Sequence, residues 1–275
     1  MKNVKKYAAY ICLSIYSLCC VYPILWMVFY SFKNNEEILV SNSFGFPAVW
    51  RIENYLNAWK SFNIPMYFKN SILVSVITVG ITIVISLMFA YATARMTWKM
   101  ASAARIYITA GMFIPVQIIL IPLVILVKNL HLTNTYTSII LPYVAFQMSF
   151  ACIVFHGFLR SLPFEIEEAA YIDGAGILRT FAVIIVPMVK TAIASVLIFT
   201  FLNAWNEFMV ALILINKEAF KTLPLGLVSF RGQFMTDWGG MGAAMVIAAV
   251  PTIIVYLLFS EKVENALTVA SAVKG

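Results

Sequence analysis

The apolar residues of this chain fall in runs too long for an ordinary soluble core. Six such runs lie at about 7–32, 68–95, 105–127, 138–159, 184–209 and 241–260. Each meets the ~20 residues, at ~1.5 Å rise apiece, that a helix needs to cross the hydrocarbon of a bilayer. Composition agrees: 62% of the 275 residues are hydrophobic, 11% are charged, and there are 21 Phe and 13 Met. In lipid an unclosed sheet leaves backbone donors and acceptors unpaired, so these runs are expected as helices. The expected fold is all-α, a polytopic membrane protein with six transmembrane helices.

The first run follows the basic start MKNVKK and so invites comparison with a signal peptide. It exceeds the ~7–15 residue apolar core of such peptides and has no small-x-small cleavage site after it, so it is read as a span. Leu18 stands before Cys19 where a lipoprotein site would have a small residue. Cys12, Cys19, Cys20 and Cys152 all fall within expected spans and read as small hydrophobes that say nothing of redox compartment.

Even span number places both termini on one side. That side carries Lys2, Lys5, Lys6, Arg95, Lys99, Arg105, Arg160, Arg179, Lys190, Lys262 and Lys274, eleven of the 19 basic residues. Four of the other eight, Lys33, Arg51, Lys60 and Lys69, are spread along one long loop. Density in short loops therefore predicts cytoplasmic N- and C-termini. The net charge of +7 is then topology and contact with anionic membrane lipids. No basic run with interleaved aromatics occurs in a soluble segment, so nucleic acid is not an expected partner. On the opposite side, Trp50, Tyr55 and Trp59 are expected as an interfacial belt.

Against this background the stretch EEAAYIDGA, from Glu167 to Ala175, is out of place. Pro163 suits the start of a helix, and Glu165, Glu167 and Glu168 place negative charge near the positive end of its dipole. Gly174 and Gly176 offer exits. A helix of about two turns is expected, with Ala169 and Ala170 forming a face that another surface can approach closely. Taken locally, a solvated linker and a docking helix fit equally well.

Spacing separates them. Glu168-Ala169-Ala170, three residues, Gly174, nine residues, Ile184, one residue, Val186 and Pro187 reproduces the EAA-x3-G-x9-I-x-L-P signature of ABC importer permeases, with Val in place of Leu. Further segments, FKNSILVS (68–75), AYATAR (90–95), NTYTSIILP (134–142), NAWNEF (203–208), KTLPLGLVSF (221–230) and SAVKG (271–275), extend the likeness over nearly the whole chain. Together they resemble the maltose-type permeases of the carbohydrate-uptake family, and in particular the smaller permease subunit.

That resemblance implies a single type I ABC importer transmembrane domain over 1–275, with a core at about 68–260 and a coupling loop at about 161–187. It implies a coupling helix in which Glu167, Glu168, Ala169 and Ala170 dock against a cytoplasmic ATPase while Asp173 and Gly174 shape the turn beneath. It also makes the tail residues Ala272, Val273, Lys274 and Gly275 candidates for ATPase contact. The tail departs from the Gly-rich approach to AVKG common in the family. The implied partners are a second homologous permease, two ATPase subunits, an extracytoplasmic solute-binding protein and a carbohydrate, with the whole in the cell membrane.

No GxxxxGK[ST], HExxH or GxSxG occurs. The chain is therefore expected to be a transport subunit rather than an enzyme, without cofactors of its own, ATP and Mg being bound by the partner ATPase. His131 and His156 are too few and too far apart for a metal site, and none is expected; His156 reads as a hydrogen-bonding residue facing other helices. Gln117, Gln147, Asn203, Asn206 and Glu207 must find partners within the spans. With Trp205 they admit two readings: polar glue near the outer end of the fifth span, which is favoured, or a sugar path in which Trp205 stacks on a pyranose. Lys190 is expected to snorkel to the cytoplasmic boundary. Pro115, Pro122, Pro142, Pro187 and Pro251 are expected to kink or interrupt helices. Alternatives are an importer of another organic solute, such as glycerol phosphate esters, and, from another class, a stand-alone channel or an intramembrane enzyme.

Overall fold

The structure is a computed structural model describing residues 2–230 and 236–272. Its helices are α1 (Lys2–Ser31), α2 (Glu53–Ser61), α3 (Ile64–Arg95), α4 (Ala101–Ala110), α5 (Val116–Asn129), α6 (Tyr136–Ser161), α7 (Glu165–Ile172), α8 (Ile177–Arg179), α9 (Val186–Met188), α10 (Lys190–Asn206), α11 (Met209–Leu214), α12 (Leu223–Gly226) and α13 (Trp238–Ala272). Among the described residues, four helices are long and apolar enough to span a membrane unbroken: Ala9–Ser31, Ile64–Arg95, Tyr136–Ser161 and Trp238–Phe259. The third and fifth expected spans are bent pairs, Ala101–Phe113 with Val116–Asn129 at 106°, and Ile177–Met188 with Lys190–Asn206 at 75°. Counting each pair as one gives the expected six.

Proline chemistry explains the first break. Ile114 is extended (ψ 112°) as the residue before a proline prefers, and Pro115 itself has ψ 132° before α5 begins. Near the second break, Pro187 lies in the short α9, which follows the π-helical stretch Thr180–Ile185; Val189 (ψ 18°) then separates α9 from α10. Pro122, Pro142 and Pro251, by contrast, stay inside continuous helices.

The chain divides into two compact units, one comprising residues up to 68 with Leu223–Pro251, the other Lys69–Thr222 with residues from 252 onward. In the first, α1 exposes large apolar side chains along its length, Leu13, Tyr16 and Leu18 among them, as a lipid-facing helix does. Its last turn supports the segment that follows. The buried Lys33 ammonium donates to the carbonyls of Asn42 (2.6 Å) and Gly45 (2.7 Å). Glu37 Oε1 accepts from the Ala48 N–H at 2.7 Å. Trp50 sits edge-on to Phe32 at 5.0 Å, and the Tyr55 hydroxyl meets Ser31 Oγ at 2.6 Å. The expected aromatic belt thus touches the end of α1 through Trp50 and Tyr55, while Trp50 and Trp59 both stay exposed. Gly239 of α13 lies where a Cβ would come within 2.3 Å of the Lys33 carbonyl, so only glycine allows that approach.

In the second unit the core joins Leu87, Ala90 and Tyr91 of α3 to Ala151, Phe155 and Leu159 of α6 and to Ile185, Val189, Ala192 and Val196. Ser75, Thr78, Thr82 and Ser86 are fully buried on α3 at three- and four-residue spacing. Small side chains on one face let helices approach closely where lipid supplies no hydrophobic drive.

Candidate coupling and translocation sites

The acidic stretch folds as the two-turn helix α7, with Glu165, Glu167 and Glu168 in its first turn. Its end accounts for the spacing of the motif. The Ala175 N–H bonds the Ala170 carbonyl (2.9 Å), the Gly174 N–H bonds the Tyr171 carbonyl (3.0 Å), and Gly174 has φ +80°. This is a Schellman cap, in which the residue after the helix adopts the left-handed conformation that glycine tolerates best. The three residues between Ala170 and Gly174 are the number needed to close that cap. Asp173 donates its N–H to the Ala169 carbonyl at 3.0 Å and is exposed. Gly176, expected as a second exit, instead stands at the start of α8.

The candidate coupling residues divide by face. Glu168 and Ala169 are exposed, and Ala170 is buried. Glu167 is turned into the chain: its Oε1 accepts from Arg95 Nε at 2.6 Å, and its Oε2 accepts from the Tyr91 hydroxyl at 3.4 Å. Of the expected docking residues, Glu168 and Ala169 are thus open to solvent, Ala170 is packed against the chain, and Glu167 is half-buried at the edge of a groove. Beside them stand large apolar residues that composition alone did not single out. Tyr171 is 80% exposed, Ile172 84% and Leu178 78%, and among charged neighbours such a cluster marks an interaction surface. Beside it lies a groove of about 760 Å³ bordered by Tyr91, Phe164, Glu168, Tyr171, Ile172 and Ile177. Of the tail candidates, Ala272 is the last residue of α13; Val273, Lys274 and Gly275 lie outside the described residues.

The second set of candidates meets where α10 gives way to α11. Glu207 Oε1 accepts from the Val210 N–H (2.7 Å), and its Oε2 accepts from the Ala211 N–H (3.2 Å) and from the Tyr143 hydroxyl. Its carboxylate thus satisfies donors that the first turn of a helix leaves free and fastens α6 to the corner. Gln147, Asn203 and Glu207 line a cavity of about 130 Å³, and Asn203, Asn206 and Glu207 border a wider one of about 500 Å³. The Asn203 and Asn206 amides donate to the carbonyls of Phe199 and Leu202, each at 2.8 Å. Gln117 is exposed in the first turn of α5. Trp205 is 1% exposed, stacked 5.7 Å from Phe201, and lines neither cavity. Of the two readings, this placement fits the favoured structural one, with the ring packed one helical turn from Phe201.

Three of the quoted segments meet at a further polar junction. Asn70 donates to the carbonyls of Ala219 and Lys221, both at 2.9 Å, and accepts from the Tyr136 hydroxyl at 2.7 Å. Asn134, with φ 57°, accepts the N–H groups of Asn216 (2.6 Å) and Lys217 (2.8 Å). These side chains hold the loop after α11 by its backbone.

Comparison with known proteins gives the family. The family described as "Binding-protein-dependent transport system inner membrane component" matches residues 82–269. The "Probable ABC transporter permease protein YurM" of Bacillus subtilis is 37% identical over 92% of this chain and 84% of its own. The diacetylchitobiose uptake system permease protein NgcG of Streptomyces coelicolor is 35% identical over 93% and 85%. The trehalose/maltose transport system permease protein MalG of Thermococcus litoralis is 32% identical over 94% and 93%. Among solved structures, a bacterial ABC transporter involved in import of the acidic polysaccharide alginate superimposes with a TM-score of 0.83 at 20% identity, covering 94% of this chain and 96% of that one. Helix order, the capped EAA helix and these relatives converge: the chain belongs to the family of binding-protein-dependent transport-system inner membrane components, the permeases of ABC importers.

Proposed function

We propose that this permease forms one half of the translocation path of an ATP-driven importer of oligosaccharides, as a single transmembrane domain with its core at about 68–260 and its coupling loop at about 161–187. The observation that carries the reading is the surface at α7 and α8, where Glu168 and Ala169 stand exposed beside Tyr171, Ile172 and Leu178. A second, homologous permease completes the path. Two ATPase subunits bind ATP and Mg and hydrolyse the nucleotide, and an extracytoplasmic binding protein delivers the sugar. Closure of the ATPases on ATP displaces α7, and the path changes its side of access because the two states differ in affinity for the closed ATPase pair. Both termini lie in the cytoplasm.

A carbohydrate substrate is supported by relatives named for diacetylchitobiose and for trehalose/maltose. The cavities at the α10–α11 corner favour the same class. Among mostly apolar and aromatic lining residues, their polar groups are amides, the Tyr143 hydroxyl and one carboxylate, and no Lys or Arg is among the described ones, which suits a sugar better than the phosphate of a glycerol ester. The decisive experiment is affinity purification of the chain expressed with its neighbouring transport genes. The expected result is a complex containing an ATPase whose hydrolysis rises with sugar-loaded binding protein. A chain that purifies without an ATPase and still conducts or catalyses would favour the channel or enzyme reading.

A further inference from the structure

Arg95, the last residue of α3, has its side chain fully removed from solvent, and its hydrogen bonds run to the corner between α6 and α7. Nε donates to Glu167 Oε1 at 2.6 Å. Nη1 donates to the carbonyls of Leu159 (3.3 Å) and Leu162 (2.9 Å), and Nη2 to the carbonyl of Pro163 (3.0 Å). The guanidinium carbon lies 3.7 Å from the centre of the Phe164 ring. Leu159 belongs to the last turn of α6, whose final carbonyls have no partners within the helix and carry the negative end of its dipole. A planar group with donors on several edges can cap that end and grip a carboxylate on another helix at once; a lysine ammonium, a single point of charge, cannot.

Arg95 therefore joins three elements: the end of the 32-residue α3, the end of α6 and the first turn of α7. The eight-residue α7 is too short to be stable by itself, and a push on its exposed face would be lost in bending its flanking loops unless a stiff tie passed it on. Its far end leans on the π-helical stretch Thr180–Ile185. Its near end is held by the Arg95–Glu167 pair.

We propose that Arg95 is a positioning residue of energy coupling: through Glu167 it locks α7 to α3 and α6, so that displacement of α7 reaches both helices as one movement. The proposal rests on the reading of α7 as the ATPase-docking helix. It assigns the exposed residues to binding the ATPase and the buried pair to passing on the displacement, so the two roles separate by experiment.

The test uses the complete complex, permease pair, ATPases and binding protein, in proteoliposomes, with sugar taken up per ATP hydrolysed as the readout. Arg95→Met is expected to keep ATPase in the complex and hydrolysing, while transport per ATP falls by about tenfold or more, since a buried pair broken on one side leaves an unmatched charge. Glu167→Ala leaves the three carbonyl bonds of Arg95 in place, so the α6 end stays capped. It is expected to uncouple in the same direction, and Glu167→Gln, which keeps an acceptor, to uncouple less. If Arg95→Met fails to accumulate, Glu167→Ala decides alone. A native ratio of transport to hydrolysis in Glu167→Ala would overturn the proposal, as would loss of the ATPase from that variant's complex, which would make the pair part of the docking surface. Absence of ATPase from the native complex would instead overturn the importer reading itself, and this proposal with it.

Discussion

Two glutamates, Glu167 and Glu207, stand where the chain changes direction between helices, and they are held in opposite ways. Glu167 pairs with a buried cation, Arg95, with the Tyr91 hydroxyl as a longer second contact. Glu207 is held by neutral donors, a tyrosine hydroxyl and two backbone N–H groups. What lies beside them differs as well. Next to Glu167 are large apolar side chains open to solvent; next to Glu207 are cavities in which the amides of Gln147, Asn203 and Asn206 stand among apolar residues. An ion pair fixes two rigid elements at one separation, whereas a carboxylate that caps a helix shapes a corner and leaves its polar surroundings available. The first arrangement suits a mechanical joint under load, the second a wall facing a polar solute.

The comparison breaks most readily at the exposed half of the joint. Ala169→Trp adds a bulky ring to a face that the coupling reading requires to be covered. It should abolish both ATPase co-purification and uptake while membrane abundance stays normal, because Ala169 is exposed and contributes nothing to helix packing. On a merely solvated helix the same change would shift stability by less than about 0.5 kcal/mol and leave uptake intact. Retention of both ATPase and uptake would therefore end the docking assignment.

Next in size come changes to the cap. At Gly174 a Cβ would meet nothing within 4 Å, so the cost of Gly174→Ala is conformational, set by φ +80° and worth about 1–2 kcal/mol. Gly174→Pro should cost more, since it forbids that φ and removes the N–H that bonds the Tyr171 carbonyl. The expected order of ATPase retention in a wash series is native, then Ala, then Pro. Equal retention in all three would show that docking does not depend on how α7 ends.

How much of this was legible in the sequence follows from the range of each interaction. The spans were legible because lipid imposes a length on every apolar helix. Their breaks were legible only as places: Pro115 and Pro187 lie at or beside sharp bends, while Pro142 and Pro251 remain within continuous helices, because the consequence of a missing N–H depends on what packs nearby. Gly174 was legible as a turn since its cap is local. The pairing of Arg95 with Glu167, 72 residues apart, was not, because nothing local to either residue points to the other. For Trp205 the sequence carries a signal for packing. Phe201 lies four residues earlier, on the same helical face, whereas Asn203 and Asn206 form a separate pair three residues apart.

At the neutral corner, Glu207→Ala should affect what Ala169→Trp spares. It removes acceptors from the Val210 and Ala211 N–H groups and from Tyr143, and by analogy with helix caps should lower thermal stability in detergent by about 1–2 kcal/mol. ATPase co-purification should persist if the docking surface lies on α7 and α8, as proposed. Tyr143→Phe leaves both backbone contacts intact and should cost less. Loss of ATPase from either variant would contradict the division of labour between the two corners.

The smallest stability effect, and the finest probe of this wall, is Asn203→Ala. The Asn203 amide bonds the carbonyl of Phe199 within its own helix at an exposed position, so its removal should change stability by no more than about 0.5 kcal/mol. If Asn203 serves only the helix, uptake should keep its rate and its dependence on sugar-loaded binding protein. If the cavities it lines with Glu207 belong to the sugar path, uptake should slow while folding, ATPase association and ATP hydrolysis in the absence of sugar all stay native. Parallel measurement of uptake and thermal midpoint separates the outcomes. A native rate would assign the α10–α11 corner to structure alone, and a slow but stable variant would make Asn203 a residue the sugar touches.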